Sequence, residues 1–209
     1  MEKISLTTEQ LDALRELGNI GAGNGATALS QLLGRKVYIS ISRLQFMDLN
    51  DVAPTEFIND SNSIGIAFVL KMLGMLKGGI LVLFSQDSAS LLVDILMRRP
   101  PSSTKLFTIS DISAIAESSH ILSSSYLSAV GEFLGIYQII PSIPQTIMDR
   151  MDRIASILIK NYVGENINYI IPIENQLNID GVLVKMYVIF VLERESVNKI
   201  LKIMKMAGI

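Results

Sequence analysis

Four residues near the start of the chain have types and spacing that could support chemistry on one side of a helix. Asp12, Glu16, Asn19 and Gly23 follow one another at intervals of four, three and four residues. Because a helix turns by about 100° per residue, this spacing gives one stripe. A carboxamide can donate and accept hydrogen bonds at once. A solvated helix face is the simplest interpretation, but a stripe in which a carboxylate and a carboxamide are followed by a glycine could also accept a close partner.

The glycines beside this stripe suggest an alternative, a nucleotide-binding turn. Residues 21–25 read Gly-Ala-Gly-Asn-Gly, which loosely resembles the glycine-rich turn of dinucleotide-binding proteins. That turn requires a strand before it and a helix that begins at it. Here a helical pattern precedes the glycines, and no P-loop lysine follows them, so we do not expect nucleotide binding.

The only histidine, His120, suggests a hydrolase triad with Ser124 and an aspartate. A serine hydrolase needs its nucleophile on a tight strand-to-helix turn, whereas Ser124 is predicted to lie in the middle of a helix. The chain has no cysteine, which excludes disulfides, thiolate metal sites and a cysteine nucleophile. One histidine without cysteine cannot build a zinc site of the usual kind. We therefore expect no bound metal, and we expect His120 to be a surface or groove residue.

The composition indicates a folded protein with a large core. Of 209 residues, 49% are hydrophobic and 18% are charged, and the net charge is −2. No basic run indicates a nucleic-acid partner. The most apolar stretch, Ile64–Phe84, contains Lys71 and Lys77, which favours two core strands joined by a turn over a membrane span. With no secretory signal at the start, we expect a cytoplasmic protein.

The first half of the chain predicts a helix, three strands and a helix. The long first helix should begin near Thr8, end at Leu33 and stop at Gly34. The predicted strands and second helix have apolar runs or helical spacing and are Lys36–Ile41, Ile64–Leu70, Ile80–Phe84 and Gln86–Met97. A polar loop is expected over Asn50–Ser63, and Arg98–Ser103, with two prolines, should be a linker.

The same order returns after the linker. Its predicted elements are Ile109–Leu134, Ile154–Ile159, Ile167–Ile173, Val182–Leu192 and Glu195–Met206. When Glu117 is placed against Glu16, Gly135 also falls on Gly34. We therefore predict an α+β fold made by internal duplication, with an antiparallel sheet, flanking helices and pseudo-two-fold symmetry. The prediction is one domain over residues 1–209, with repeats at 1–99 and 104–209.

The first helix resembles the signature helix of a known family. Asp12-x3-Glu16-x2-Asn19, continued by Ile-Gly-Ala-Gly-Asn-Gly, is similar to the motif of the CheC, CheX and FliY phosphatases of bacterial chemotaxis, with CheC the nearest. In that family an Asp or Ser, a Glu and an Asn are followed about two dozen residues later by a proline. Ser42 stands near the place of that proline, which is the one departure in the first half.

The second long helix matches the family motif less well. Ser113 and Glu117 fit it, and Pro141 falls near the expected proline, but His120 replaces the asparagine. The following residues, Ser123-Ser124-Ser125, also lack the glycines of the first helix. The resemblance therefore implies a possible second, degenerate site of Glu117 and His120, with Ser113 in a supporting role.

The resemblance also implies an activity. Its substrate would be the aspartyl phosphate of a CheY-type response regulator. Asn19 would orient the attacking water, Glu16 would pair with a receiver lysine, and Asp12 would support them. The chain would bind no cofactor and act as a monomer, and magnesium would come with the receiver. The alternative is a non-catalytic adaptor that binds the receptor deamidase CheD or a flagellar switch or receiver protein.

Overall fold

The computed structural model describes residues 3–51, 56, 58, 62–136, 138–154 and 167–209. The described chain contains two similar series of elements, each with a long helix, four strands and a shorter helix in that order. The helices are α1 (Thr8–Leu33), α2 (Gln86–Leu96), α3 (Ile109–Leu134) and α4 (Arg194–Met206). The strands are β1 (Val37–Leu44), β2 (Met47–Asp48), β3 (Ile64–Gly74), β4 (Gly78–Ser85), β5 (Ile139–Pro141), β6 (Gln145–Arg150), β7 (Ile167–Ile179) and β8 (Val182–Glu193).

The two long helices begin and end where the sequence predicts, because their caps are local. Thr7 and Thr108 accept hydrogen bonds from the third backbone amide of α1 and α3, and the third side chain of each helix bonds back to the cap. Gly34 and Gly135 end the helices with φ of 62° and 64°. Glycine adopts this left-handed conformation without strain, so both ends are encoded within a few residues.

The strands form one antiparallel sheet of symmetrical order. The order is β1-β7-β8-β4-β3-β5, with β2 also paired to β7 and β6 to β3. If each of β1 to β4 is exchanged with its counterpart in β5 to β8, the strand order becomes the same order read from the other end. The central strands β4 and β8 place Leu81 opposite Ile189. The predicted α+β fold with an antiparallel sheet and flanking helices is confirmed; the exact division into repeats at 1–99 and 104–209 stays a prediction.

The strand predictions were wrong at the edges of the sheet. Each half was expected to have three strands, whereas the described chain has β2 in the first half and β5 and β6 in the second at positions that were not predicted. A strand was predicted at Ile154–Ile159. Residue 154 lies in a helical turn instead, and the other residues of this prediction lie outside the described chain. Edge strands such as β6 expose most of their side chains and therefore lack the apolar run that marks a buried strand.

The described helices cover one face of the sheet. On β3 the side chains of Ile66, Phe68 and Leu70 pack under the helices, whereas Ala67 and Val69 join a smaller apolar cluster on the opposite face. Because both faces of the central strands are buried, these strands appear in the sequence as continuous apolar runs. The long helices therefore form an outer layer on a rigid support.

The predicted linker after α2 is held by two buried carboxylates. Asp94 accepts hydrogen bonds of 2.6–3.1 Å from the backbone and side chains of Ser103 and Thr104. Asp111, in the first turn of α3, pairs with Arg99 at 2.8 Å. Burial opposes the charge of both carboxylates, but these hydrogen bonds outweigh it and hold each pKa below the usual aspartate value.

Candidate functional site

The predicted stripe of α1 lies on the surface, with Asp12, Glu16, Asn19 and Gly23 all exposed. Asp12 is paired with Arg15, at 2.9 Å between carboxylate and guanidinium. Glu16 and Asn19 make no hydrogen bond or ion pair with any residue that the structure describes. A carboxylate and a carboxamide one turn apart are therefore both available to an external partner.

Three glycines of α1 lie at close contacts inside the molecule. A Cβ atom built on Gly21 would lie 2.7 Å from the ring of Tyr126, and one on Gly25 would lie 3.0 Å from Leu122, both on α3. A Cβ atom on Gly18 would lie 2.8 Å from a side chain of β1. These glycines let α1 approach its neighbours more closely than any side chain would allow.

Gly23 differs from these three glycines. A Cβ atom built on it would have no heavy atom of the described chain within 4 Å. A glycine in a helix interior costs about 1 kcal/mol relative to alanine. No packing contact in the described chain explains this cost at Gly23.

The contacts between α1 and α3 are symmetrical. Leu122 occupies the place in α3 that Gly21 occupies in α1, and Tyr126 likewise corresponds to Gly25. Gly21 meets Tyr126 while Gly25 meets Leu122, so each contact is repeated with the helices exchanged. Along the helix axes, the crossing is centred at the level of Gly23 and of Ser124, its counterpart on α3. The two polar stripes extend from this level in opposite directions.

The second stripe is only partly equivalent to the first. Ser113 and Glu117 are exposed, but the His120 side chain is half-buried and has no hydrogen-bond partner among the described residues. The hydroxyl of Ser124, the counterpart of Gly23, donates to the His120 carbonyl at 2.8 Å. The stripe of α3 thus has a carboxylate at the place of Glu16, an imidazole ring at the place of the Asn19 carboxamide, and a serine side chain at the place of Gly23.

The residues compared with the family proline lie on edge strands. Ser42 is exposed at the irregularity of β1 between Ile41 and Arg43, and its hydroxyl donates to the Glu174 carbonyl at 3.2 Å. Pro141 is the last residue of β5. The strand β1 packs beside α1, and the Ser42 hydroxyl is bonded within the sheet.

A buried hydrogen bond beneath the helix crossing was not predicted. The Tyr126 hydroxyl donates to the side-chain oxygen of Asn175 at 2.6 Å, and the Asn175 amide donates to the Ile173 carbonyl at 2.9 Å. Burial raises the pKa of the Tyr126 hydroxyl well above its usual value, so it stays a donor. This bond fixes α3 on the sheet, and nothing in the sequence distinguished Asn175 from the other polar residues of β7.

The cavity beside α1 is separate from the stripe. It holds about 40 Å³ and is lined by apolar groups that include Leu14, Met72, Tyr126, Phe190 and Ile200. An apolar void of this size gives no basis for binding a polar substrate. In the described part of the chain, no three acidic or histidine side chains converge as metal ligands, and no helix has the length and apolar character needed to span a membrane.

Comparisons with known proteins find similarity in α1 and over most of the chain. A sequence model of the CheC-like family matches residues 9–40, which comprise α1 and the start of β1. The CheY-P phosphatase CheC of Bacillus subtilis is 29% identical over 167 residues, which cover 76% of each chain.

Two solved structures share the fold. The structure of Thermotoga maritima FliY has a TM-score of 0.75 at 23% identity, covering 96% of this chain and 98% of that one. The FliM middle domain from H. pylori has a TM-score of 0.66 at 15% identity, covering 95% and 99%. A fold shared at such low identity does not by itself assign an activity. The resemblance expected from the first helix is confirmed: the chain matches the CheC-like family through α1 and is similar to a CheC relative over most of its length.

Proposed function

We propose that this chain is a phosphatase that hydrolyses the aspartyl phosphate of a CheY-type response regulator. The observation that carries the proposal is the exposed pair of Glu16 and Asn19, which no described residue of the chain engages. Both lie inside the segment that matches the CheC-like family. The relative that is similar over most of the chain is named a CheY-P phosphatase.

In the proposed reaction a water oxygen bonds to phosphorus while the bond from phosphorus to the aspartyl oxygen breaks. Inorganic phosphate leaves, the receiver keeps a free carboxylate, and the proton of the water passes to phosphate or solvent. Phosphoryl transfer of this loose kind depends more on the position of the water than on a strong base. Asn19 suits that task, because its carboxamide can accept a hydrogen bond from the water and donate another to the phosphoryl group.

Glu16 has a docking role in this proposal. A carboxylate would repel an incoming phosphoryl group unless a cation lies between them. We assign to Glu16 an ion pair with a lysine of the receiver, which fixes Asn19 over the phosphorus. Asp12 is already paired with Arg15 and is assigned a supporting role at the rim of the contact.

The remaining parts of the proposal concern partners. The receiver supplies magnesium, this chain binds no cofactor of its own, and it acts as a cytoplasmic monomer. Glu117 and His120, supported by Ser113, form a second, degenerate docking place. Sedimentation of the protein alone and with the receiver tests the monomer and the stoichiometry of the complex.

The decisive test is release of phosphate from a phosphorylated CheY-type receiver, compared among the parent protein, Asn19→Ala and Asn24→Ala. Asn24 is a matched control, because it is an exposed asparagine of the same helix that lies off the stripe. Loss of the positioned water should lower the rate about a hundredfold in Asn19→Ala, since misplacement by about 1 Å can cost that much. Asn24→Ala should keep the parent rate.

The adaptor alternative gives a different result in the same assay. An adaptor would bind the receiver without accelerating phosphate release, and Asn19→Ala would bind as tightly as the parent. Binding to CheD without any effect on phosphate release would likewise favour the adaptor.

A further inference from the structure

Gly23 occupies a place in α1 where the described chain gives no reason for a glycine. It is exposed, lies in the middle of a 26-residue helix and has no heavy atom near the Cβ position. Glycine is also used where the backbone needs a positive φ, but Gly23 is not among the described glycines with positive φ. Close packing and backbone conformation, the two internal reasons for a glycine, are both absent here.

We propose that Gly23 is a contact position for the receiver and that main chain of the docked receiver lies directly against it. The proposal rests on the proposed function and adds to it a residue that determines which surface fits. Gly23 follows Asn19 by four residues, so it lies about 6 Å farther along the same face of the helix. A body that places a phosphoryl group over Asn19 must cover this position as well.

The absence of a side chain has a direct effect at this distance. A glycine lets a partner backbone approach the helix more closely than any other residue does. A Cβ atom at position 23 would project into space that is open in the described chain. It would therefore leave α1 intact and displace only what docks on it.

The second stripe supplies an internal contrast. Ser124 stands where α1 has Gly23, and its side chain is fixed by the hydrogen bond to the His120 carbonyl. A receiver that rests on a bare backbone at α1 would meet a side chain at α3. Gly23 thus accounts, together with Asn19, for a preference of the receiver for the first stripe.

The test measures binding and turnover of Gly23→Ala and Gly23→Leu with a CheY-type receiver. Affinity is measured with the receiver in its beryllofluoride-activated form, and turnover with the phosphorylated form. We expect Gly23→Ala to unfold about 2–4 °C higher, because alanine stabilises a helix interior, yet to bind severalfold more weakly. Gly23→Leu should bind more than tenfold more weakly, with the loss in half-saturating receiver concentration rather than in the rate at saturation.

Gln31→Leu is the matched control, because Gln31 is another exposed residue of α1, two turns beyond Gly23. It adds the same side chain elsewhere on the helix and should change affinity less than twofold. Circular dichroism confirms that each variant is folded. If Gly23→Leu does not fold, Gly23→Ala decides, since a higher unfolding temperature with unchanged affinity overturns the inference.

The outcomes separate this inference from the proposed function. If Gly23→Leu binds and turns over the receiver like the parent while Asn19→Ala is inactive, the receiver does not rest on Gly23 but the phosphatase proposal stands. If Asn19→Ala also keeps full activity, the proposed function fails. A weaker Gly23→Leu with an unaffected Gln31→Leu supports the inference, and an inactive Asn19→Ala supports the proposed function.

Discussion

The two long helices share their length, caps and mutual contacts, but they present different outer surfaces. Both α1 and α3 have 26 residues and a threonine cap, and both end at a left-handed glycine. On α1 the outer face has an unengaged Glu16 and Asn19 and then the bare backbone of Gly23. On α3 the corresponding face has a half-buried histidine and a serine. The fold thus constrains the caps and the crossing, whereas the exposed stripe can diverge without loss of structure.

The helices also differ in how firmly they are held. The first turn of α3 contains Asp111, which is fully buried and paired with Arg99, and further along α3 Tyr126 is bonded to Asn175. The first turn of α1 has the same capping bonds, made by Gln10, but they are exposed and Gln10 has no buried ion pair. We conclude that α3 serves as a framework on which α1 is placed, and that α1 presents the residues of the proposed site.

The largest contrast should come from the two equivalent glutamates. Glu16→Ala should lower phosphate release by about thirtyfold or more, since loss of one partner of a docking ion pair costs about 2 kcal/mol or more. Glu117→Ala should lower it less than twofold, because the second stripe lacks the carboxamide. Initial rates over a range of phosphorylated receiver concentrations measure both. Equal losses in the two variants would show that both stripes work and that the contrast between the helices is wrong.

How much of this contrast could be predicted from the sequence depends on how local each feature is. Helix ends are local, so Thr7 and Gly34 fixed the bounds of α1. Buried central strands were predicted from their apolar runs, whereas β6 was missed because most of its side chains are exposed.

The features of the candidate site also divide into those set by local sequence and those set by contacts between distant parts of the chain. The stripe follows from helical spacing alone, so Glu16 and Asn19 could be placed on one face. Which side chain each packed glycine meets could not be predicted, because Gly21 meets Tyr126 across more than a hundred residues of chain. The pairing of Asp12 with Arg15 was also missed, since an exposed pair three residues apart gives no distinctive pattern.

The second contrast concerns the first turns of the helices. Asp111→Ala should lower the free energy of unfolding by about 2 kcal/mol, because it leaves the partly exposed Arg99 without its buried partner. Gln10→Ala, the corresponding change in α1, should cost about 0.5 kcal/mol, since its bonds are exposed. Urea unfolding measures both. Equal costs would contradict the view that α3 is the framework.

Acid should reveal the same difference. Because folding lowers the pKa of Asp111 and Asp94, their contribution to stability is complete above the unfolded value near pH 4 and is lost as the pH falls through the lower folded values. As the pH is lowered below 4, the urea concentration at the unfolding midpoint of the parent should therefore decrease. This decrease should be less steep in Asp111→Ala, which has already lost one contribution, than in Gln10→Ala.

The smallest expected effect is a gain at the second stripe. In an Asn19→Ala background the first stripe contributes little, so a change in phosphate release above that of the receiver alone reports on α3. Adding His120→Asn restores the carboxamide beside Glu117, but the side chain of Ser124 still keeps a receiver away from the backbone. We therefore expect residual release to rise about twofold, since a water held about 1 Å from its best place recovers little of the rate. Adding Ser124→Gly as well should raise it further, whereas Gln31→Asn in the same background should not. Recovery of the parent rate by His120→Asn alone would mean that one side chain accounts for the whole difference between the helices. In single variants, a loss in His120→Ala as large as in Asn19→Ala would mean that the two helices do not differ in activity.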